Sequence, residues 1–277
     1  MPNNIIVPEV FADAVNAAMG VKLRAANVAT DYTGIMEEIT EYGGKVHFPV
    51  IDRINDAVVI EKGVALVPDE VNMTDAEAVI QQVGKSVTVY DKDNIQVKGH
   101  LKDSLAQQLG EALAKAVDAD LVNCIRTEAV YKDATLEDLT QADIEAAFDV
   151  FGDDVDNDTF AGILINSKLR KKFMAMDAFI DGTKTNAAYG NGVVKHGCIG
   201  YWNGTIPVYV SNNGTYNDGK ALLAIVKNNA LGVIWQKVPS VEEGRDVNMR
   251  CTHIAADELY ATKLVHTDGV SVLEITI

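Results

Sequence analysis

"HGCIGYWNGTIPVYVSNNG", residues 196–214, holds two β-type runs, "CIGYW" and "TIPVYV", on either side of Asn203-Gly204, and a second Asn-Gly follows at Asn213-Gly214. Asn-Gly between two such runs is the strongest short-range sign of a tight hairpin, because both central residues of that turn need positive φ. No acidic residue lies in the stretch, although the 277-residue chain carries 40 Asp plus Glu against 24 Lys plus Arg, a formal charge of −16. An uncharged turn can approach other backbone closely, and Pro207 suits a strand position that needs no ladder donor.

Working outward, residues 134–238 alternate helix and strand. "TLEDLTQADIEAAFDVFGDD" reads as a helix started by Thr140 or Asp143, "FAGILIN" as a buried strand, and "SKLRKKFMAMDAF" as a helix that Ser167 caps. After the hairpin, "KALLAIVK" and "LGVIWQK" read as strands, and "RDVNMRCTHIA", "DELYATKLVHT" and "GVSVLEITI" as a closing sheet. On the N-terminal side, residues 93–128 form the clearest helix, with Leu101, Leu105, Leu109, Leu113, Val117, Leu121 and Ile125 on one stripe. A four-residue step turns about 40° past a full revolution, so the stripe winds around the axis and a single neighbour does not cover it. Gly99 and Gly110 each weaken this spine by ~1 kcal/mol relative to Ala.

Residues 40–90 are β-type, with "KVHFPVI", "AVVI", "VALV" and "KSVTVY" separated by Gly43-Gly44, Gly63, Pro68 and Gly84. No aromatic residue lies between Phe48 and Tyr90, so this excursion lacks the bulk for a core of its own and is expected to lean on another copy. Before it, Pro8 and Glu9 open a short amphipathic arm helix with Val10, Phe11, Val15 and Met19, ending at Gly20.

At 48% hydrophobic the chain folds around one large core or two modest ones. Its charge disfavours sequence-specific DNA binding and anionic membranes, while suiting a container wall that must not stick to its contents. There is no signal-peptide pattern and no run of about twenty apolar residues, so a cytosolic origin without membrane contact is expected. Three cysteines, Cys124, Cys198 and Cys251, have no framework spacing and read as buried thiols.

Catalytic signatures are missing. "GKS" at Gly84–Ser86 lacks the earlier glycine of a phosphate loop, with Val79 in its place, and runs into a strand. "DDVDNDTF" at 153–160 has Thr159 where a calcium loop needs its turn glycine and Ile165 where it needs a bidentate Glu, and reads as a solvated acidic loop. His196 with Cys198 and Cys251 with His253 are i,i+2 pairs; a metal-dependent enzyme would require them to converge on zinc, whereas strand thiols are usually apolar filling. No nucleophile elbow or H-E-x-x-H occurs; His47, His100 and His266 lie on separate elements, and Glu37-Glu38 and Glu242-Glu243 read as solvated. No cofactor is expected.

The order of arm, β excursion, spine helix, inserted helix and strand region, and closing sheet resembles the major capsid proteins of tailed bacteriophages. The resemblance rests on "IIVPEVFADAV", "VGKSVTVYDKD", "LAQQLGEALAKAVDADLV", "GILINSKLRKKF", "GCIGYWNGTIPVYVSNNG", "ALLAIVKNNALG" and "VEEGRDVNMRCTHIAADELYATKLV" in that order. It implies an α+β Johnson fold with an N-terminal arm (1–32), an extended loop (33–90), a peripheral domain (91–133 and 239–277) and an axial domain (134–238). It also implies a structural subunit of an icosahedral shell, not an enzyme, that forms hexamers and pentamers around double-stranded DNA. Assembly would take place in the host cytoplasm, with a portal, possible decoration proteins and a separate scaffolding protein, the N-terminus staying intact. Val10, Phe11, Val15, Lys62, Gly63, Asn203 and Gly204 are then the candidate subunit contacts. Lys62 lies in the region where one relative crosslinks covalently, but no motif marks a partner Asn, so crosslinking is not expected. A cellular nanocompartment shell with the same fold is the alternative.

Overall fold

The computed structural model describes residues 8–35, 44–51, 57, 59, 68, 73–92, 101–153, 159–181 and 197–277. Its helices are α1 (Pro8–Lys22), the spine α2 (Leu101–Glu128), α3 (Gln141–Asp149) and the single turn α4 (Arg170–Phe173). In chain order the strands are β1 (Thr30–Asp31), β2 (Lys45–Ile51), β3 (Met73–Val79), β4 (Gln81–Tyr90), β5 (Tyr131–Leu136), β6 (Phe160–Ile165), β7 (Phe179–Asp181), β8 (Cys198–Trp202), β9 (Ile206–Val210), β10 (Tyr216–Asn217), β11 (Lys220–Lys227), β12 (Leu231–Asp246), β13 (Cys251–Leu264) and β14 (Val270–Thr276). Among the described residues no helix is long and apolar enough to cross a membrane.

The winding stripe of the spine is buried from Leu105 to Ile125, and successive turns meet different neighbours. Near its start α1 lies so close that a Cβ on Gly110 would stand 2.6 Å from the Val15 carbonyl oxygen. About two turns later comes the segment after α1, where Asp118 accepts the backbone N–H of Ala25 at 2.9 Å. Asp120 then takes the Tyr260 hydroxyl at 2.6 Å, and Arg126 reaches Glu274 on β14 at 2.9 Å. Gly110 therefore weakens the helix in exchange for a close helix crossing, which its propensity alone does not reveal. α1 itself runs to Lys22, two residues past Gly20.

Two sheets flank the spine. One has the order β1-β12-β13-β4, the other β5-β14-β11-β6-β9-β8-β7 with β10 on β11, and β2-β3 forms a separate hairpin. On β11, Leu222, Ala224 and Val226 face the spine core while Ala221, Leu223 and Ile225 face a second core under α3 and α4, the period of two expected of a strand covered on both faces. Of the two starts the sequence offers, Thr140 is the N-cap of α3, and Asp143 caps it reciprocally from the first turn.

Two expectations are corrected. The closing runs do not make one sheet: β12 runs through residue 238 as one strand, with register shifts between Trp235 and Ser240, and pairs with β13, but β14 turns away at His266–Gly269 and pairs with β11 and β5 in the eight-stranded sheet. Its Val270 and Val272 join the spine core and its Leu273 and Ile275 the second core, so it is a central strand. Nor does Ser167 cap a long helix. The Asn166 carboxamide accepts the Lys168 N–H at 3.0 Å, one turn forms, and the chain leaves it so that Phe173 and Phe179 meet edge to face beside Trp202.

The excursion at 40–90 also departs from its reading. Val46, Phe48, Ala78 and Ile80 are buried with Tyr32, Ile234, Leu259, Ala261 and Val265 of the chain's own body, and Phe48 meets Tyr32 edge-on at 5.6 Å. The base of the hairpin is thus anchored internally by the one aromatic residue it carries. "VALV" and half of "AVVI" lie outside the described residues.

Candidate assembly interface

The surface features that could serve assembly begin at β4. It pairs with β13 from Gln81 opposite Tyr260 to Tyr90 opposite Cys251, and its other edge has no ladder partner among the described residues. None of its ten residues is buried. A strand of that length with an open edge offers a row of unpaired donors and acceptors to another chain. The Gly84–Ser86 stretch sits within this strand, so it forms no phosphate loop.

At the far end of β4, Tyr90 lies beside the β12–β13 turn, whose Val247 and Met249 are 77% and 62% exposed. Arg245 holds that turn by two hydrogen bonds to Asp91, 2.5 and 2.6 Å, which keep the Asp91 carboxyl below the usual carboxylate range.

The hairpin turn has the predicted backbone, with φ of 48° at Asn203 and 81° at Gly204. It connects β8 to β9, and the Asn203 N–H is tied to the Ala178 carbonyl at 2.9 Å, which leaves the Asn203 side chain exposed. Pro207 lies one residue before the β6–β9 ladder begins at Val208, where its missing N–H costs no pairing on that side.

Val10 is 66% exposed, whereas Phe11 and Val15 are buried on the chain's own spine. The arm helix spends those two side chains internally, because α1 docks on α2 rather than reaching outward. Lys62, Gly63 and His196 lie outside the described residues, as does most of the acidic loop at 153–160. Cys198 is in the eight-stranded sheet and Cys251 in the four-stranded one; the Cys251 thiol is 3.8 Å from His253 Nε2, while His253 Nδ1 is 2.9 Å from the Thr88 hydroxyl. Among the described residues no group of three or more metal-ligating side chains assembles.

Two buried acids escape sequence reasoning. Asp118 accepts from the backbone of Arg24 and Ala25 and from the Asn213 side chain at 3.1 Å, joining the arm, the spine and the loop after the hairpin. Burial pushes its pKa up against those hydrogen bonds. Glu258 on β13 is fully buried with neither carboxylate oxygen hydrogen-bonded, and burial, with Asp257 adding repulsion, raises it to about 7. Alternation along β13 places it on the same face as Tyr260, whose hydroxyl burial and Asp120 also push up.

Comparison with known proteins decides what this surface belongs to. A family model described as "Phage capsid protein" matches residues 74–263. The chain belongs to the phage capsid protein family. The capsid protein is similar to the major capsid protein of Staphylococcus phage phiMR11, 25% identical over 262 residues that cover 95% of this chain and 90% of the relative. In fold it is similar to a structure from Mycobacterium phage Che8, with a TM-score of 0.64, 20% identity and 90% of each chain covered. The capsid of Ralstonia phage GP4 gives a TM-score of 0.62 at 14% identity, covering 90% of this chain and 87% of that one. The mixed helix and sheet architecture is that of the tailed-phage capsids, the Johnson fold. The capsid protein is a structural subunit of a phage shell, located in the virion capsid, and not an enzyme.

Proposed function

We propose that the protein closes into an icosahedral shell of hexamers and pentamers that encloses a double-stranded DNA genome. The single observation that carries this reading is β4: ten residues, none buried, with one edge that has no ladder partner among the described residues and that can receive another copy. In this picture residues 1–32 are the arm, 33–90 the extended loop, 91–133 and 239–277 the peripheral domain, and 134–238 the axial domain. β12 and β14 tie the last two into one body. Val10, the Asn203-Gly204 turn, and Lys62 and Gly63 in the loop are the proposed contacts, with Phe11 and Val15 acting by holding α1 in place. DNA is enclosed without sequence-specific contact, in keeping with the net charge of −16. Assembly takes place in the host cytoplasm, with a separate scaffolding protein, a portal and possible decoration proteins as partners.

Electron microscopy of concentrated protein, with and without co-expressed scaffolding protein, tests the reading. Closed particles are expected, and particles from infected cells contain DNA. Chains that stay dispersed under both conditions overturn it, and particles filled with a protein cargo would point to a nanocompartment instead.

A further inference from the structure

β4 continues β3 through Ile80, and the two strands pair on opposite sides, β3 with β2 and β4 with β13. Ile80 gives its N–H to the Gly44 carbonyl at 3.1 Å, whereas Asp91, one residue past β4, gives its own to the Arg250 carbonyl at 3.1 Å. Successive residues of a strand turn their backbone groups to alternate sides, and the β4–β13 register has no shift, so Gln81, Val83, Lys85, Val87 and Val89 turn theirs to β13. Gln82, Gly84, Ser86, Thr88 and Tyr90 therefore turn theirs to the side on which β2 lies. No strand pairs with them there among the described residues.

That row is bounded at both ends. β2 takes up the same side as far as Gly44, opposite Ile80. Past Tyr90 the chain leaves the strand, with Asp91 and Lys92 in helical geometry. Between these limits the strand carries a single charge, Lys85, and no carboxylate, in a chain of net charge −16. Val83, Val87 and Val89 lean on the spine core, and the alternate side chains are exposed.

We propose that β4 pairs antiparallel with β4 of a second copy about a two-fold axis at Ser86, joining two four-stranded sheets into one. The length and ends of the row select this occupant. With Ser86 opposite its own copy, Gln82 faces Tyr90 of the second copy and Gly84 faces its Thr88, so every outward backbone group is used, in about ten hydrogen bonds. The second copy's chain then turns off at its Asp91, before it reaches Gly44. Val83 lies across from Val89 and Lys85 from Val87, so apolar side chains continue across the axis and like charges do not face each other. The pleat requires some residue to face its own copy, since any other register would turn one apolar face outward. Moving the axis to Lys85 sets two lysines opposite each other and drives the second copy's Tyr90 onto Gly44; moving it to Val87 leaves Gln82 unpaired. The absence of carboxylates lets two acidic chains approach along this strand. Such a contact is isologous, and being small it gains strength where a shell repeats it. The proposal rests on the coat-subunit reading and names one contact within the shell.

Cysteine pairing in the full chain tests it. Ser86→Cys places two thiols across the axis at a Cα separation of about 5.5 Å, which a disulfide spans. Oxidised at assembling concentration, this variant is expected to give a disulfide-linked dimer well above the wild-type background. Gln82→Cys and Tyr90→Cys are expected to crosslink when mixed and not when each is alone. Ser86→Pro removes an outward N–H without touching the β13 ladder, and is expected to need about tenfold more protein to form particles at an unchanged urea midpoint. Particles that form without crosslinking in Ser86→Cys, or Ser86→Pro assembling at the wild-type concentration, overturn the proposal and leave the coat-subunit reading standing. Crosslinked dimers that never grow into particles support the β4 pair and refute the shell. Neither crosslinks nor particles at any concentration overturns both.

Discussion

Replacing Gly110 by Ala sets two effects of opposite sign against each other. On an isolated helix the change is worth about 1 kcal/mol in favour of Ala, and Gly110 lies well inside α2. In the folded chain the new Cβ would stand 2.6 Å from the Val15 carbonyl oxygen, 2.9 Å from the Met19 nitrogen and 3.0 Å from the Ala18 Cβ. The first two are backbone atoms, so no rotamer change relieves the clash and α1 itself must lift. Overpacking of this kind costs about 1–3 kcal/mol, and lifting α1 also begins to uncover Phe11, Val15 and Met19, each worth about 1.5–3 kcal/mol when fully buried. The net expectation is a loss of about 1–2 kcal/mol for Gly110→Ala. Gly110→Leu should release α1 and cost about 5 kcal/mol. Urea unfolding of dilute, unassembled protein reads the first, and protease sensitivity within residues 8–22 reads the second. If Gly110→Ala raises the midpoint, propensity outweighs packing here and the close crossing of α1 and α2 is refuted.

Phe48→Ala is expected to destabilise the unassembled chain by about 3 kcal/mol, because Phe48 fills the core beneath the hairpin; a midpoint unchanged before assembly would mean the hairpin is supported only by neighbours. Asp118→Ala strands the Ala25 N–H and the Asn213 amide without their acceptor, for an expected loss of about 2–4 kcal/mol, with Asn213→Ala much milder; equal effects of the two in urea unfolding would contradict the hub role. Glu258 makes folding pH-dependent. With a pKa raised from 4.5 to about 7, the folded chain keeps a proton between those values that the unfolded chain has released, so the stability present below pH 4.5 is lost as pH rises through 7. The difference is about 3 kcal/mol, and Glu258→Gln should flatten the change in urea midpoint between pH 5 and pH 8; an unaltered slope would count against it.

What the sequence made legible was whatever depends on local period and turn chemistry. The four-residue apolar step of the spine, the Thr140 and Asp143 cap, and the Asn203-Gly204 turn all carry their geometry within a few residues. Partner choice was not legible. "GVSVLEITI" reads as a strand, but nothing in its alternation says it leaves β13 for β11, a choice set by which core receives its two apolar faces. Asp118 looks like an ordinary surface charge between Val117 and Ala119, and only the backbone N–H groups of Arg24 and Ala25, some ninety residues away, explain its burial. Phe11 and Val15 read as candidate subunit contacts because an amphipathic arm must cover a surface; the surface they cover is the chain's own spine, at a crossing made close by Gly110, which in sequence registers only as a weak point. The single Phe48 likewise understated how firmly the base of the extended loop is held.

Sedimentation velocity across a rising concentration series, with co-expressed scaffolding protein in one arm, addresses shell formation most directly. A boundary of very large particles growing at the expense of the 29.9 kDa chain is the predicted result. A single slow boundary at that mass, persisting to the highest concentration in both arms, would contradict the assignment of the open β4 edge to assembly.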